Sequence, residues 1–326
     1  MGVLHRALLS QDGKGCWLTV VIHSLLTFSG VFFFATLSDS TAGGSMPRKD
    51  VRNELEQISQ SKTWKMLQRN EPEALHLYTL PFFTDRTEVF RLQEPRTQFI
   101  GQWHLSPNHK RIAIGVYPHK EGTGEAPLPE LYLINMENSN TVTPISGAWR
   151  WVASFVGNRQ LLLIDHTNHP TLLDLETNKS TLLQTKLGAM GDATATLTGD
   201  RLVYDVGDGF VVYDLKRQTN QKLHVDGDDP VLSPDGQHIL FRRGGFTGSY
   251  YIMDAAGHHE TLLLSEQVIH AKLRGSGGYT DLVFLSWSPD GRFILLDEAS
   301  DLEKGRLFVL KVSTKELVEI TFRGHL

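Results

Sequence analysis

The chain writes one sentence twice. SPDGQHILF spans residues 233–241 and SPDGRFILL spans 288–296. Proline presets φ and glycine accepts φ above zero, so Pro-Asp-Gly is turn chemistry. Ile239, Leu240 and Phe241, like Phe293, Ile294, Leu295 and Leu296, are strand formers directly after it. Each copy therefore reads strand, tight turn, strand. A degraded third copy, LSPNHKRIAIGV, occupies 105–116. Pro107 and Pro234 stand 127 residues apart. Three repeats of about 42 residues fill that distance, and propeller blades run roughly 40–45 residues. Two intermediate copies are in place. SFVGNRQLLLID (154–165) turns at Gly157-Asn158, and TLTGDRLVYDV (196–206) turns at Gly199-Asp200.

The second halves of the repeats share a shape as well. ELYLINMENSNTVTPI, TLLDLETNKSTLL, GFVVYDLKRQTNQKL, SYYIMDAAGHHETLL and RLFVLKVSTKELVEI each run from an apolar strand through a polar turn to a shorter strand. Two hairpins per repeat give four strands, the blade of a β-propeller. Residues 75–100 read as the second half of one more blade, with the C-terminal tail after Thr321 completing it. Residues 75–326 number 252, six times 42. The expected fold is all-β, a six-bladed propeller, with five or seven blades as the alternatives. Circular closure would remove the free sheet edges that invite aggregation. A helical solenoid fails because the apolar runs are short, β-branched and aromatic, with Gly or Pro turns at close intervals.

These Ser-Pro-Asp-Gly blades resemble the WD40-like repeats of TolB-type propellers and of the propeller domain in the prolyl oligopeptidase family. The best copy runs from 233 to 264, and the resemblance extends from Gln102 to Thr321. It implies a binding surface around the central channel or the rims; such propellers serve many unrelated roles. TolB itself is soluble and periplasmic with an additional N-terminal domain. This chain has an apolar segment and a short helix in that place. The peptidases carry a separate hydrolase domain with a Gly-x-Ser-x-Gly nucleophile, and this sequence has neither the room nor the motif.

Residues 17–37, WLTVVIHSLLTFSGVFFFATL, contain His23 as their one ionisable side chain. About 20 apolar residues span a bilayer as a helix, whereas a secretory signal core is shorter. The segment is expected to be a transmembrane signal-anchor helix in the lipid bilayer, with 1–16 as a cytoplasmic tail. Cleavage after Ala42 in Ser40-Thr41-Ala42 is the competing reading. Arg6 and Lys14 on one side nearly balance Arg48, Lys49 and Arg52 on the other. Orientation therefore rests on the large C-terminal domain being translocated. The expected location is the bacterial inner membrane, single-pass, with the propeller periplasmic. Residues 38–74 form a Gly/Ser linker and a short helix. That helix is expected over 50–70, capped by Asp50, with Val51, Leu55 and Ile58 on one face.

A net charge of −5 leaves no basic excess to neutralise phosphates, so nucleic acid is not an expected partner. Cys16 is the single cysteine, which excludes a disulfide framework and a cysteine-based zinc site within the chain. Two short stretches hold metal-ligating residue types. Asp165, His166 and His169 offer a two-His one-carboxylate set, but Asn168 and Pro170 explain the same stretch as a turn. Asp226, Asp228 and Asp229 offer oxygen ligands for calcium without EF-hand spacing, and read as a solvated link between blades. His258, His259, Asp205 and Asp208 read as turn residues. Trp103, Trp149, Trp151 and Trp287 sit near blade starts and are expected to pack between blades. No catalytic residue and no cofactor is assigned from local motifs.

The expected function is a membrane-anchored, extracytoplasmic, non-enzymatic protein-interaction or scaffold module. Its partner would be a membrane protein or complex at the envelope, which it would serve as an accessory subunit. An envelope sensor for a small ligand or glycan, and a hydrolase or lyase with its site in the channel, are the alternatives.

Overall fold

The repeated sentence becomes a ring of hydrogen-bonded turns. The computed structural model describes residues 33–36, 49–71, 73–82, 84–119, 128–138, 140–183, 193–245, 248–273, 282–298 and 306–324. In the fifth sheet Ser233 Oγ donates to Asp235 Oδ1 at 2.6 Å and accepts from His238 N at 3.0 Å. In the sixth, Ser288 Oγ donates to Asp290 Oδ1 at 2.7 Å and accepts from Phe293 N at 2.9 Å. Ser106 and Thr196 repeat this pattern, accepting from the amides of Arg111 (2.9 Å) and Arg201 (3.2 Å). All four hydroxyl residues are buried, and a buried hydroxyl needs such partners. The fourth turn residue is left-handed in each case: Gly236, Gly291, Gly199 and, in the degraded copy, His109.

The strands pair into six antiparallel sheets. The first holds β2 (Lys65–Glu71), β3 (Ala74–Thr79) and β4 (Thr84–Arg91). The second holds β5 (Gln98–Leu105), β6 (Arg111–Pro118), β7 (Glu130–Asn135) and β8 (Thr141–Pro144). The third holds β9 (Trp149–Val156), β10 (Gln160–Asp165), β11 (Pro170–Asp174) and β12 (Ser180–Leu182). The fourth holds β13 (Ala193–Ala195), β14 (Arg201–Asp205), β15 (Phe210–Asp214) and β16 (Thr219–Leu223). The fifth holds β17 (Asp228–Leu232), β18 (His238–Arg243), β19 (Ser249–Asp254) and β20 (Thr261–Leu264). The sixth holds β21 (Leu282–Trp287), β22 (Phe293–Glu298), β23 (Leu307–Lys311) and β24 (Glu316–Gly324), with β1 (Phe33–Thr36) beside β24. Two helices are described, α1 (Lys49–Ser61) and α2 (Glu266–Leu273). Six blades settle the count.

Hydrophobic clusters fill the seams between neighbouring blades. In β22, Phe293 and Leu295 face the first blade while Ile294 and Leu296 face the fifth. Both faces of the strand are buried, which explains an unbroken apolar run instead of alternation. Trp287 is buried in the seam between blades five and six. Trp103, Trp149 and Trp151 pack against the seams of their own blades, as expected.

The ends of the ring differ from the expectation. The helix stops at Ser61, because Lys62 adopts a left-handed φ of 55°. Residues 65–71 then form a strand in register with β3, Lys65 opposite Thr79 and Met66 opposite Tyr78. Asp50 lies inside the first turn of α1, and its expected capping role falls outside the described side chains. The C-terminal tail does not cross to the first blade; β24 stays in the sixth, with Thr321 opposite Thr36. In the first sheet β4 leads on to the next blade as β8, β12, β16 and β20 do, so it is the outer strand. The innermost position is filled by no described residue, and β2 stands next to the axis. There Leu67 O accepts from Trp103 Nε1 at 3.1 Å, and Trp64 Nε1 donates to Ser286 Oγ at 2.6 Å. Helix α1 lies over this closing seam, its Val51, Leu55 and Ile58 packed with Tyr78, Leu80, Phe293 and Val309.

Of the apolar segment 17–37, only Phe33–Thr36 are described, and they form strand β1; the rest of the expected membrane helix lies outside the described residues. Among the described residues no helix is long and apolar enough to cross a membrane.

Candidate functional site

The two faces of the ring are built differently. In each four-stranded blade the first and third turns lie on one face, and the second turn and the link to the next blade lie on the other. On the first face the connections are tight and pinned by their own side chains. The strand ends that the longest stretches of sequence join, across 119–129, 183–192, 265–281 and 299–306, are on the second. Binding residues concentrate on long loops held by a rigid scaffold. Both sequence-derived candidate sets fall on this loop face.

Asp165, His166 and His169 surround the β10–β11 turn. Asp165 Oδ1 accepts from Thr167 N at 2.8 Å, Thr167 Oγ1 at 2.7 Å and His169 N at 2.9 Å. Burial pushes the Asp165 carboxyl up, but these hydrogen bonds outweigh it and hold the group below the usual carboxylate range. His166 is exposed, and His169 Nδ1 meets Thr167 Oγ1 at 2.7 Å. The three close a turn; they do not aim at a common point. Asn168, left-handed in this turn, accepts from Arg150 Nη1 at 2.9 Å.

Asp226 and Asp228 line a groove of about 350 Å³ with Gly207, Asp208, Gly209 and His224. Asp229, beside them, accepts from Arg242 Nη2 at 3.0 Å, and Arg242 is only 5% exposed. Arg243 Nε donates to Asp226 O at 2.6 Å and grips Glu260 with both terminal nitrogens. Burial, then the Asp229 charge, push the Asp228 carboxyl above its usual range, opposed by Arg242. Asp205 is pushed up chiefly by burial, with Asp228, Asp229 and Asp208 adding to it. Asp208 moves the other way, held low by Lys222 Nζ at 2.6 Å. Asp208, read from sequence as a plain turn residue, thus lines this acidic groove, and Asp205, read the same way, stands near enough to feel its charges. Among the described residues no group of three or more His, Cys, Asp and Glu side chains is placed to hold one metal ion.

His258 and His259 lie on the opposite face, in the β19–β20 turn, as expected of turn residues. His259 Nδ1 sits 2.8 Å from Asp254 Oδ2. With His238 and Lys315, His259 and Asp254 edge a cavity of about 400 Å³ between blades five and six.

Two features escaped local reading. Asp297, at the loop-face end of β22, has its carboxyl pushed up to about 7 by burial and by the neighbouring Glu298 charge. The sequence signal was an acid closing a run buried on both faces. The second is an aromatic stack at the loop-face ends of β5 and β6. Phe99 lies 5.5 Å from Tyr117 and 5.2 Å from His119, centroid to centroid. Burial pushes the Tyr117 hydroxyl up to about 12, opposed by Arg150. Gly101 makes room for the stack, since a Cβ there would stand 2.5 Å from the Tyr117 ring.

No protein-family model matches the sequence, and no curated protein matches it. Solved structures do match in fold. TolB from Acinetobacter baumannii is similar with a TM-score of 0.59 at 16% identity, over 84% of this chain and 67% of that one. An oligogalacturonate lyase in complex with manganese is similar with a TM-score of 0.51 at 12% identity, over 79% of this chain and 74% of that one. At such identities the likeness is one of fold. With six blades counted and their seams filled, the chain is a TolB-like six-bladed β-propeller.

Proposed function

We propose that this chain is a non-enzymatic protein-interaction module that receives a protein partner on its loop face. The contrast between the two faces carries the reading: among the described residues, self-capped tight turns on one side, and on the other the strand ends that the longest stretches of sequence join. The likeness in fold to TolB supports it. In the fuller reading residues 17–37 anchor the module in the bacterial inner membrane, with the propeller periplasmic and serving a membrane complex as an accessory subunit. With Phe33–Thr36 held in the sixth sheet, 16 residues (17–32) remain, about 24 Å of helix at roughly 1.5 Å each. A hydrocarbon core is about 30 Å thick. The anchored form therefore requires β1 to leave β24. A form cut after Ala42 lacks β1 altogether.

The test is affinity purification of the full chain from detergent-solubilised native membranes, with mass spectrometry of everything retained and N-terminal sequencing of the chain itself. A fixed set of stoichiometric proteins, lost when Asp208 and Asp226 are changed to Lys, supports the reading. Recovery of the monomer alone overturns it. An N-terminus at Gly43 replaces the anchored form with a processed one.

Asp297 favours a second reading, a hydrolase or lyase. A carboxyl titrating near neutrality suits general acid–base work, and one neighbour in fold is an oligogalacturonate lyase. Turnover of an acidic oligosaccharide that disappears in Asp297→Asn would establish it; absence of turnover by the intact chain would remove it.

A further inference from the structure

The seam between blades five and six departs from the repeat at three positions, and all three border one cavity. The strand after the first turn opens with Arg111 in blade two and Arg201 in blade four. Each arginine ties its blade to the next. Arg111 Nη1 donates to Asn158 O at 3.2 Å, and Arg201 Nη1 donates to Gly236 O at 2.9 Å. Blade five has His238 at this position, and His238 lines the cavity of about 400 Å³. The other two positions are in the third turns. Blades two to six each hold a left-handed residue other than glycine there: Asn140, Asn178, Gln218, His259 and Lys315. Asparagine takes that conformation at little cost, and lysine does not. The two blades that flank the cavity are the two that place basic residues at this point.

The floor and the rim of the cavity differ in chemistry. Met253 and Leu263 are buried in the floor, with Ile252 and Val312 half-buried beside them. His238, His259 and Lys315 stand exposed at the rim. Lys315 Nζ reaches from blade six to Leu262 O of blade five and donates to it at 2.7 Å, which leaves two of its three donors. Among the described lining residues Asp254 is the one carboxylate, and its own turn engages it. Oδ1 accepts from Ala256 N at 3.0 Å and His258 N at 2.8 Å, and Oδ2 meets His259 Nδ1 at 2.8 Å. A cleft of roughly 300–1,000 Å³ with an apolar lining and a few convergent polar groups is the form of a small-molecule site.

We propose that this cavity binds a small organic acid, its aliphatic or aromatic body on Ile252, Met253, Leu263 and Val312 and its carboxylate at Lys315, His238 and His259. The charge of Asp254 at the same rim favours a monoanion over a phosphate dianion. A ligand held by Lys315 of blade six and the two histidines of blade five clamps the seam between them. The site opens on the face of tight turns, opposite the loop face, so such a ligand does not compete with a protein partner there. The proposal goes beyond the interaction-module reading and does not rest on it.

The test is isothermal titration calorimetry of the full chain with hydrocinnamate and isocaproate. Both bind saturably at millimolar concentration. Hydrocinnamyl alcohol, which keeps the aromatic body and lacks the charge, binds at least tenfold more weakly. The double variant His259→Asn with Lys315→Asn installs the residue type that blades two and three carry at the same left-handed position, so the turns keep their shape; far-UV circular dichroism and the unfolding midpoint check this. The double variant loses at least tenfold in affinity for both acids, because a charge-assisted bond is lost. Lys179→Asn, which removes an exposed lysine from the third turn of blade three, leaves the affinity unchanged. Absence of saturable binding of both acids, equal binding of the alcohol, or unchanged affinity in the folded double variant overturns the proposal. Phenyl phosphate binding at least tenfold more tightly than hydrocinnamate would make the site one for phosphate and overturn a carboxylate. A peptide ending in phenylalanine with a free carboxylate, if it binds at least tenfold more tightly than hydrocinnamate, would assign the cavity to the chain end of a protein and overturn a small molecule. The titrations read this cavity alone, so their failure leaves the loop-face reading standing, and absence of co-purified proteins leaves the titrations standing.

Discussion

Trp64 Nε1 donates to Ser286 Oγ at 2.6 Å across 222 positions of sequence, from the start of β2 to the innermost strand of the last blade. This bond stands where the first and last blades meet, and the indole is buried in the seam beneath α1. Trp64→Phe removes the bond and keeps most of the packing, a loss of about 1 kcal/mol. Trp64→Ala leaves a cavity between the first and last blades and costs about 3–5 kcal/mol. Urea unfolding midpoints of the two variants check the gap between them.

The turn glycines are not equivalent. Gly199 and Gly291 are both left-handed, at φ of 72° and 70°. A Cβ on Gly199 would stand 2.6 Å from the backbone nitrogen of Gly157 in the neighbouring blade, while one on Gly291 would meet nothing nearer than Pro234 Cδ at 3.8 Å. Gly291→Ala therefore carries the conformational cost alone, about 1–2 kcal/mol. Gly199→Ala adds a backbone clash of about 1–3 kcal/mol. Thermal unfolding of the two variants should separate them by several degrees.

Glu298 is 1% exposed, and Arg306 meets both its oxygens, at 2.7 Å and 3.1 Å. Arg306→Met strands a buried carboxylate and destabilises by about 3–5 kcal/mol. Adding Glu298→Gln removes the uncompensated charge, so the double variant recovers part of the loss. Denaturation of both single variants and the double variant closes the cycle.

Stability depends on pH through Asp297 with a definite sign. Its folded pKa of about 7 lies above the ordinary 3.8, so between those values the folded chain binds more protons than the unfolded one. Stability contributed by this group is full below about pH 4 and falls as pH rises through about 7. Asp297→Asn flattens that limb. Asp174 acts in the opposite sense. Hydrogen bonds from Thr177 N and from Arg159 hold it at about 2, and its contribution is lost as pH falls from about 4 through that value. Urea midpoints between pH 2 and pH 8, roughly, would resolve the two limbs.

The middle of this fold was legible because each turn carries its own chemistry. Ser288 and Asp290 specify their hairpin with bonds inside six residues, and Phe293–Leu296 announce a strand buried on both faces by failing to alternate. The closing seam was not legible. Residues 62–70 continue the helical pattern of α1 in local terms; only pairing with β3 makes them a strand, and that partner is a tertiary fact. The acidic groove was half visible. Asp226, Asp228 and Asp229 stand out by spacing, whereas Asp205 and Asp208 join them from another blade. Asp297 looks like any strand-end acid until burial and Glu298 are both in place.

The closing seam also has a consequence for how the protein is made. Leu55 is synthesised early, yet Ile320, a member of the same core cluster, follows 265 residues later. At roughly 5–20 residues per second a ribosome needs about 13–53 s to cover that distance. Throughout that interval the apolar stripe of α1 has no seat, while blades two to five complete themselves in turn. The nascent chain thus carries α1 uncovered until its last strand emerges. Through that interval the helix is a place where a chaperone would meet the growing protein.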